Sequence, residues 1–235
     1  MKMCRSINWS WFLSVVLLGF CVAGCRSVGY RTGDPTAEKL RNAGEQLTSE
    51  SRALDATFAS LDRLVNSPVA DLKKPFKGYK KSLRHLEESV SDTDKAIAKL
   101  REESNAYLNA WNSELGEMNY EVIRSQSDAR KTAVSNQLEA VCHRYEETQN
   151  VVRPMINYFG DIERALGTDL TAEGLAAARE IVHRAGENTE KIQVALTQLR
   201  QEFSVSGNRL SSSMPSQPDA EPQKAEAPQK EAGLH

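Results

Sequence analysis

"LKKPFKGYKKSLRHLEESVSDTDKAIAKLREESNAYLNAW", residues 72–111, carries one pattern from end to end. Leu72, Phe76, Tyr79, Leu83, Leu86, Val90, Thr93, Ile97, Leu100, Ser104, Tyr107 and Trp111 follow one another at alternating spacings of four and three. That alternation draws one narrow stripe along an α-helix, as a coiled-coil seam requires. Pro75, near the start, delays or bends only the first turn. Beyond Trp111 the stripe continues through Leu115, Met118 and Val122, so two spacings of four stand together. Such a stutter locally unwinds a supercoil. Gly116, Asn119 and then "RSQSD" follow, and a helix end or tight turn is predicted between 118 and 128.

The same spacing organises the rest of 36–206. Helix one, about 36–65, starts with Asp34 as cap and Pro35 in the first helical position. Its stripe is Leu40, Gly44, Leu47, Ser51, Leu54, Phe58, Leu61 and Val65. Ser67 and Pro68 repeat that start for helix two, about 69–120. Helix three, about 126–166, shows Val134, Leu138, Val141, Tyr145, Thr148, Val152, Met155, Phe159, Ile162 and Leu166. Pro154 cannot donate to the Asn150 carbonyl, which predicts a kink near 150–154. Helix four, about 171–205, is capped by Thr171, with Leu170 and Leu175 as a hydrophobic staple. Its stripe is Leu175, Ala178, Val182, Ala185, Thr189, Ile192, Leu196, Leu199 and Phe203. Ala43, Leu64, Leu108 and Ile181 widen these stripes in places. One helix cannot hide such a stripe alone, and short breaks favour antiparallel neighbours. The expected fold class is all-α: a long antiparallel four-helix coiled-coil-like bundle. The tail from 207 to 235, with its near-repeat AEPQK–AEAPQK, is predicted to be disordered.

The first 24 residues read as a targeting segment. Lys2 and Arg5 precede the apolar run "WSWFLSVVLLGFCVAG", closed by Ala23 and Gly24. The run is short for a membrane span, which needs roughly 20 apolar residues, and it suits a secretory signal. "VAGC" (22–25) resembles the lipobox of bacterial lipoproteins. The resemblance implies cleavage before Cys25, a diacylglyceryl thioether on its sulfur and an acylated amine. Two or three chains hold firmly, because each buried CH2 contributes about 0.8 kcal/mol. Arg26, rather than Asp, follows the cysteine, and by the usual sorting pattern this favours the outer over the inner membrane. The expected localisation is the bacterial cell envelope, lipid-anchored and periplasm-facing. Cys4 and Cys21 leave with the signal, so Cys142 is the only free thiol of the mature chain and reads as a half-buried small hydrophobe, with an intermolecular disulfide as the alternative.

Residues 25–35 are then the lipidated terminus and a short linker. A second helix of about 50 residues would measure roughly 75 Å, against roughly 45 Å for the first. An upright first helix would send the second back past its own anchor. Helix two is therefore broken, or the rod lies along the membrane, or a helix two–three hairpin projects from a shorter bundle.

Removing residues 1–24 moves the net charge from -2 to -4, so nothing invites nucleic acid as a partner. One basic patch stands out in "KKPFKGYKKSLRH": Lys73, Lys74, Lys77, Lys80, Lys81 and Arg84. It is a candidate contact for anionic lipid, with a plain solvated face as the blander reading. Trp111 occupies a seam position beside the stutter, where core anchoring competes with a ligand-admitting gap. Di-iron bundles need two Glu-x-x-His strings, and the mature chain has one, Glu180–His183, with Glu180 about 200° from Val182. Glu139–His143 cannot fix a metal alone, and His85 has neutral or basic neighbours. No phosphate loop or nucleophile signature is present. No catalytic residue, metal or cofactor is expected.

"AWNSELGEMNYEVIRSQSDAR" (110–130) and "VVRPMINYFGDIERAL" (151–166) resemble a bacterial family catalogued as domain of unknown function 2959. Trp111, Glu114, Leu115, Asn119, Pro154 and Asp161 carry the likeness, which spans about Leu83 to Phe203. The family's early Tyr/Trp and Lys-Arg-Asp segment is matched only by Tyr30 and Arg31. The resemblance implies a secreted or lipid-anchored helical protein and supplies no reaction. The expected function is non-enzymatic: an envelope lipoprotein serving as scaffold, spacer or interaction module. Its partners would be the membrane through Cys25, and envelope proteins or further copies of itself. The alternative is a binder of lipid, peptide or small ligand near Trp111.

Overall fold

A computed structural model describes residues 29–66 and 71–212. Four helices follow one another: α1 Gly29–Asn66, α2 Lys73–Glu117, α3 Glu121–Thr168 and α4 Ala172–Leu210. α1 packs against α2 and α4, and α3 against the same two, so the helices form a ring. Neighbours meet in opposite chain order. On α2 and α3 the pairs are Tyr79 with Phe159, Asp94 with Arg153, and Trp111 with Ser127. On α1 and α4, Asp34 meets Ser212 and Ser51 meets Gln193.

The stripes are buried. Leu40, Leu47, Leu54 and Leu61 recur every seven residues on α1 and are fully enclosed. Enclosing each such side chain contributes about 1.5–3 kcal/mol. All nine stripe residues of α4 are buried, as are the α2 positions from Tyr79 to Ser104. α1 and α4 approach closely where glycines stand at their contact. A Cβ on Gly207 would stand 3.2 Å from the Ala37 carbonyl, and one on Gly186 would stand 2.7 Å from the Phe58 ring. Gln193 then pins the pair, donating to the Ser51 carbonyl at 2.7 Å and to Asp55 at 2.8 Å.

Several expected boundaries shift, each for a local reason. α1 begins at Gly29, so the linker of 25–35 is shorter than expected and Pro35 lies inside the helix. Pro35 lies past the first turn, so α1 forgoes the hydrogen bond to the Arg31 carbonyl there. Asp34 caps no helix start. It accepts the Ser212 N–H at 2.7 Å and the Ser212 hydroxyl at 2.6 Å, which together draw its carboxyl below the usual range. α2 starts at Lys73 after Leu72, with Asp71 accepting the Lys73 N–H. The α2–α3 turn is only Met118, Asn119 and Tyr120, and "RSQSD" is helical. The extended backbone of Met118 and Tyr120 suffices to reverse the chain. Val122 therefore belongs to α3 and is 71% exposed, not part of the α2 stripe. On α3 it is Gln149, not Thr148, that is buried. Ile181 widens no stripe and is exposed. α4 runs past Gly207 to Leu210, because Gly207 serves close approach to α1 rather than termination. Ser67 and Pro68, residues 1–28 with Cys25, and the tail from 213 onward lie outside the described residues.

Thr171 caps α4 as expected, its hydroxyl accepting the Gly174 N–H at 3.1 Å. Thr171→Ala should cost about 1 kcal/mol. Thermal melting checks this, with a drop of about 2–4 °C expected for a chain of this size. An unchanged melting temperature would mean that water replaces the cap without loss.

Candidate functional site

The bundle interior is mostly apolar, with buried hydroxyls at positions such as Thr57, Ser104, Thr189 and Ser206, and one layer is centred on Glu50, the buried carboxylate among the described residues. Glu50 follows Leu47 by three residues and precedes Leu54 by four, so helical geometry turns it to the same side as both. Its side chain is fully enclosed. Gln149 of α3, 3% exposed, reaches across the ring and donates its amide to Glu50 Oε1 at 2.9 Å. The Thr93 hydroxyl stands near but donates to the Ser89 carbonyl at 3.0 Å. Glu50 Oε2 and Gln149 Oε1 have no protein partner. Two buried acceptors without a donor form a costly arrangement. One proton on Glu50 changes it. The carboxyl then becomes a donor, and a reciprocal acid–amide pair satisfies both oxygens. Burial pushes the Glu50 carboxyl up from its ordinary value, with Gln149 and Thr93 opposing.

The outer side of this layer is ionic. Arg153 Nη2 donates to both Asp94 oxygens at 2.8 Å, and the Tyr145 hydroxyl donates to Asp94 Oδ1 at 2.7 Å. Burial, then the Asp94 hydrogen bond, pushes the Tyr145 phenol well up, so it remains a donor. A groove of about 320 Å³ between α2 and α3 is lined by Asp94, Tyr145, Gln149 and Arg153 among others. Stripe spacing alone points past Glu50, which it leaves on a flank. An acid three residues from one leucine and four from another was the available signal.

The sequence-derived candidates fall elsewhere. Lys73, Lys74, Lys77, Lys80, Lys81 and Arg84 are exposed on the first turns of α2. Lys80 pairs with Glu163 at 2.7 Å and lies 5.7 Å from the centre of the Phe76 ring. This patch sits at the opposite end of the bundle from Gly29, because α1 runs its whole length before α2 begins. The Trp111 indole is engaged: its N–H donates to Ser127 Oγ at 2.9 Å, and its ring lies 5.5 Å from that of Tyr107. The Ser127 bond ties α2 to α3, the Tyr107 contact lies within α2, and neither gives a pocket beside Trp111 support. Cys142 is 7% exposed, and burial pushes its thiol up, as for an inert core sulfur. His85 and His143 are exposed beside Glu88 and Glu147, and Glu180 pairs with Arg184 on the surface. Among the described residues no His, Cys, Asp and Glu side chains gather in threes that could hold a metal. None of the described helices is long and apolar enough to cross a membrane.

No curated protein and no solved structure matches the chain. A family model does, from residue 23 to residue 213, and so takes in α1 and the "AGC" before it as well as the α2–α4 segments that carry the resemblance. A match over that much of the sequence settles membership: the chain belongs to the family described as "Protein of unknown function (DUF2959)".

Proposed function

We propose that this protein is a lipid-anchored, non-enzymatic scaffold or spacer of the bacterial cell envelope. It is held to the membrane through Cys25 and engages envelope proteins or further copies of itself. One observation carries the reading: the interior is packed side chain against side chain along all four helices, and its main polar feature is turned inward on itself. A catalyst needs polar groups converging on a space that substrate can enter. Here the Gln149 amide is turned to Glu50 inside the core, and Asp94, Tyr145 and Arg153 along the α2–α3 groove are bonded to one another. A buried polar pair on facing helices suits a different task, fixing which residues align along a rod. The alternating spacing, followed by burial on each helix, supports a coiled-coil-like, antiparallel seam. The small residues before Cys25, inside the family match, support the anchor. Arg26 favours the outer membrane.

The test is radiolabelled palmitate incorporation with cell fractionation, comparing the natural chain with Cys25→Ala. Label and membrane recovery should both be lost in the variant. Retention of either in Cys25→Ala would overturn the anchor. Crosslinking in cells from exposed positions of α3 then identifies what the rod holds.

A further inference from the structure

We propose that the α2–α3 turn dips into the same membrane leaflet that holds the acyl chains, so that the rod stands upright on two contacts. The proposal rests on the Cys25 anchor. Its first support is length. Gly33 of α1 lies against Tyr107 of α2 and Leu210 of α4: a Cβ there would be 3.6 Å from the Tyr107 hydroxyl and 3.4 Å from the Leu210 carbonyl. Beyond that level α1 has only Gly29 to Thr32, whereas α2 continues to Glu117 and α3 returns from Glu121. The ten residues after Tyr107 add about 15 Å. The hairpin therefore projects past both α1 and α4. Four residues of α1 add about 6 Å beyond Gly33, and the four steps from Gly29 to Cys25 reach at most about 14 Å more. Cys25 can therefore reach a level up to about 20 Å beyond Gly33. The turn, about 15 Å beyond Gly33, is within that reach. An upright rod thus allows the turn and the lipidated residue to meet one leaflet.

The second support is what the turn displays. Tyr120, Val122 and Ile123 are 76%, 71% and 57% exposed. The other large exposed apolar side chains among the described residues, Val151, Ile181, Val194 and Val205, are scattered along the shaft. Three within four residues, at the one end that carries the anchor, are a patch rather than background. An aromatic hydroxyl at the foot of such a patch matches the preference of tyrosine for the boundary between headgroups and acyl chains. Depth is limited by Glu117 before the patch and by the Glu121–Arg124 ion pair, whose glutamate lies between Tyr120 and Val122 in the chain; these charges belong among headgroups. The tip offers no cluster of unpaired basic residues, so contact is apolar and insensitive to salt.

A second copy of the chain is the competing occupant. Three side chains fall far short of the roughly 800 Å² per partner that a stable protein interface buries. A membrane needs no such area, because the acyl anchor already holds the tip beside it at high effective concentration.

The experiment uses the full lipidated chain carrying Cys142→Ser, reconstituted in phosphatidylethanolamine–phosphatidylglycerol vesicles. Ile123→Cys or, at the far end, Lys77→Cys carries an environment-sensitive fluorophore. Vesicle flotation reads the anchor, and quenching by spin-labelled lipid reads the tip. Flotation of both, with emission at 123 falling at least two-fold and emission at 77 unchanged in low and high salt, is the expected result. Flotation without quenching at 123 overturns the tip contact and leaves the anchor standing. Equal quenching at both sites overturns it as well, because the rod then lies flat. Crosslinking of 123 to 123 between copies without quenching assigns the patch to a second chain. Failure to float overturns the anchor itself and the proposal with it.

Discussion

Phe203→Ala should destabilise the bundle by about 3–5 kcal/mol, toward the upper part of the range for a buried phenylalanine. Phe203 is fully enclosed on α4, facing α1 where Gly44 leaves room: a Cβ on Gly44 would lie 3.7 Å from Phe203 Cβ. How much a truncation costs depends on how far the surroundings relax into the void. Here they have little freedom. One turn further along α4 and nearly two turns back along α1, Gly207 already brings the two backbones close, with no room for a Cβ beside the Ala37 carbonyl, so little further approach is left to close a void. Denaturant unfolding should show the loss as a lower midpoint at unchanged slope. The melting temperature should fall by about 10 °C, at about 2–4 °C per kcal/mol for a chain of this size. Ile123→Ala, on the exposed tip, should stay within about 0.5 kcal/mol. A loss below about 1.5 kcal/mol at Phe203 would mean that α1 and α4 repack, contrary to the close approach at Gly207.

Phe203 was legible in the sequence, and so was most of what surrounds it. A period near 3.5 reports which large apolar side chains share a side, and burial follows from that alone. This is why the α4 stripe is buried from Leu175 to Phe203 and the α2 stripe from Tyr79 to Ser104. The same logic cannot see features whose meaning depends on a second helix. Asp34–Pro35 has the composition of a helix start, yet Asp34 holds Ser212 on α4. Gly207 has the composition of a helix stop, yet it lets α1 approach. Val122 prolongs the α2 stripe in number but follows the turn in space, since the reversal at Met118–Tyr120 uses ordinary extended backbone and needs no special residue. Glu50 is the clearest case. Its spacing from Leu47 and Leu54 put it inside, but its partner, Gln149, lies on the helix diagonally opposite, and adjacency along the chain says nothing about a diagonal.

That pair yields the second large effect, and its sign depends on pH. Burial first, and Asp94 to a smaller degree, raise the Glu50 pKa on folding, while Gln149, Thr93 and the more distant Arg153 oppose. A carboxyl whose folded pKa exceeds its unfolded value binds its proton more tightly in the native state. Its contribution is therefore complete below the ordinary glutamate range and is lost as pH rises through the folded pKa. Asp34 and Glu146 are shifted the opposite way, so their contributions hold above the ordinary carboxylate range and fade as pH falls through their folded values. Both are exposed and weigh little. In Glu50→Gln the new amide can donate to Gln149 Oε1 while accepting from the Gln149 amide, as the protonated acid does, and it has no proton to lose. The two proteins should melt together at mildly acidic pH. They should separate as pH rises, with Glu50→Gln ending about 2 kcal/mol more stable once Glu50 is ionised, the scale of a buried polar group restored to a partner. Melting curves of both chains across pH 5 to 9 decide it. Parallel curves would show that Glu50 keeps one protonation state throughout. A Glu50→Gln curve below the natural one at every pH would mean that the ionised carboxylate is what the layer was built to hold.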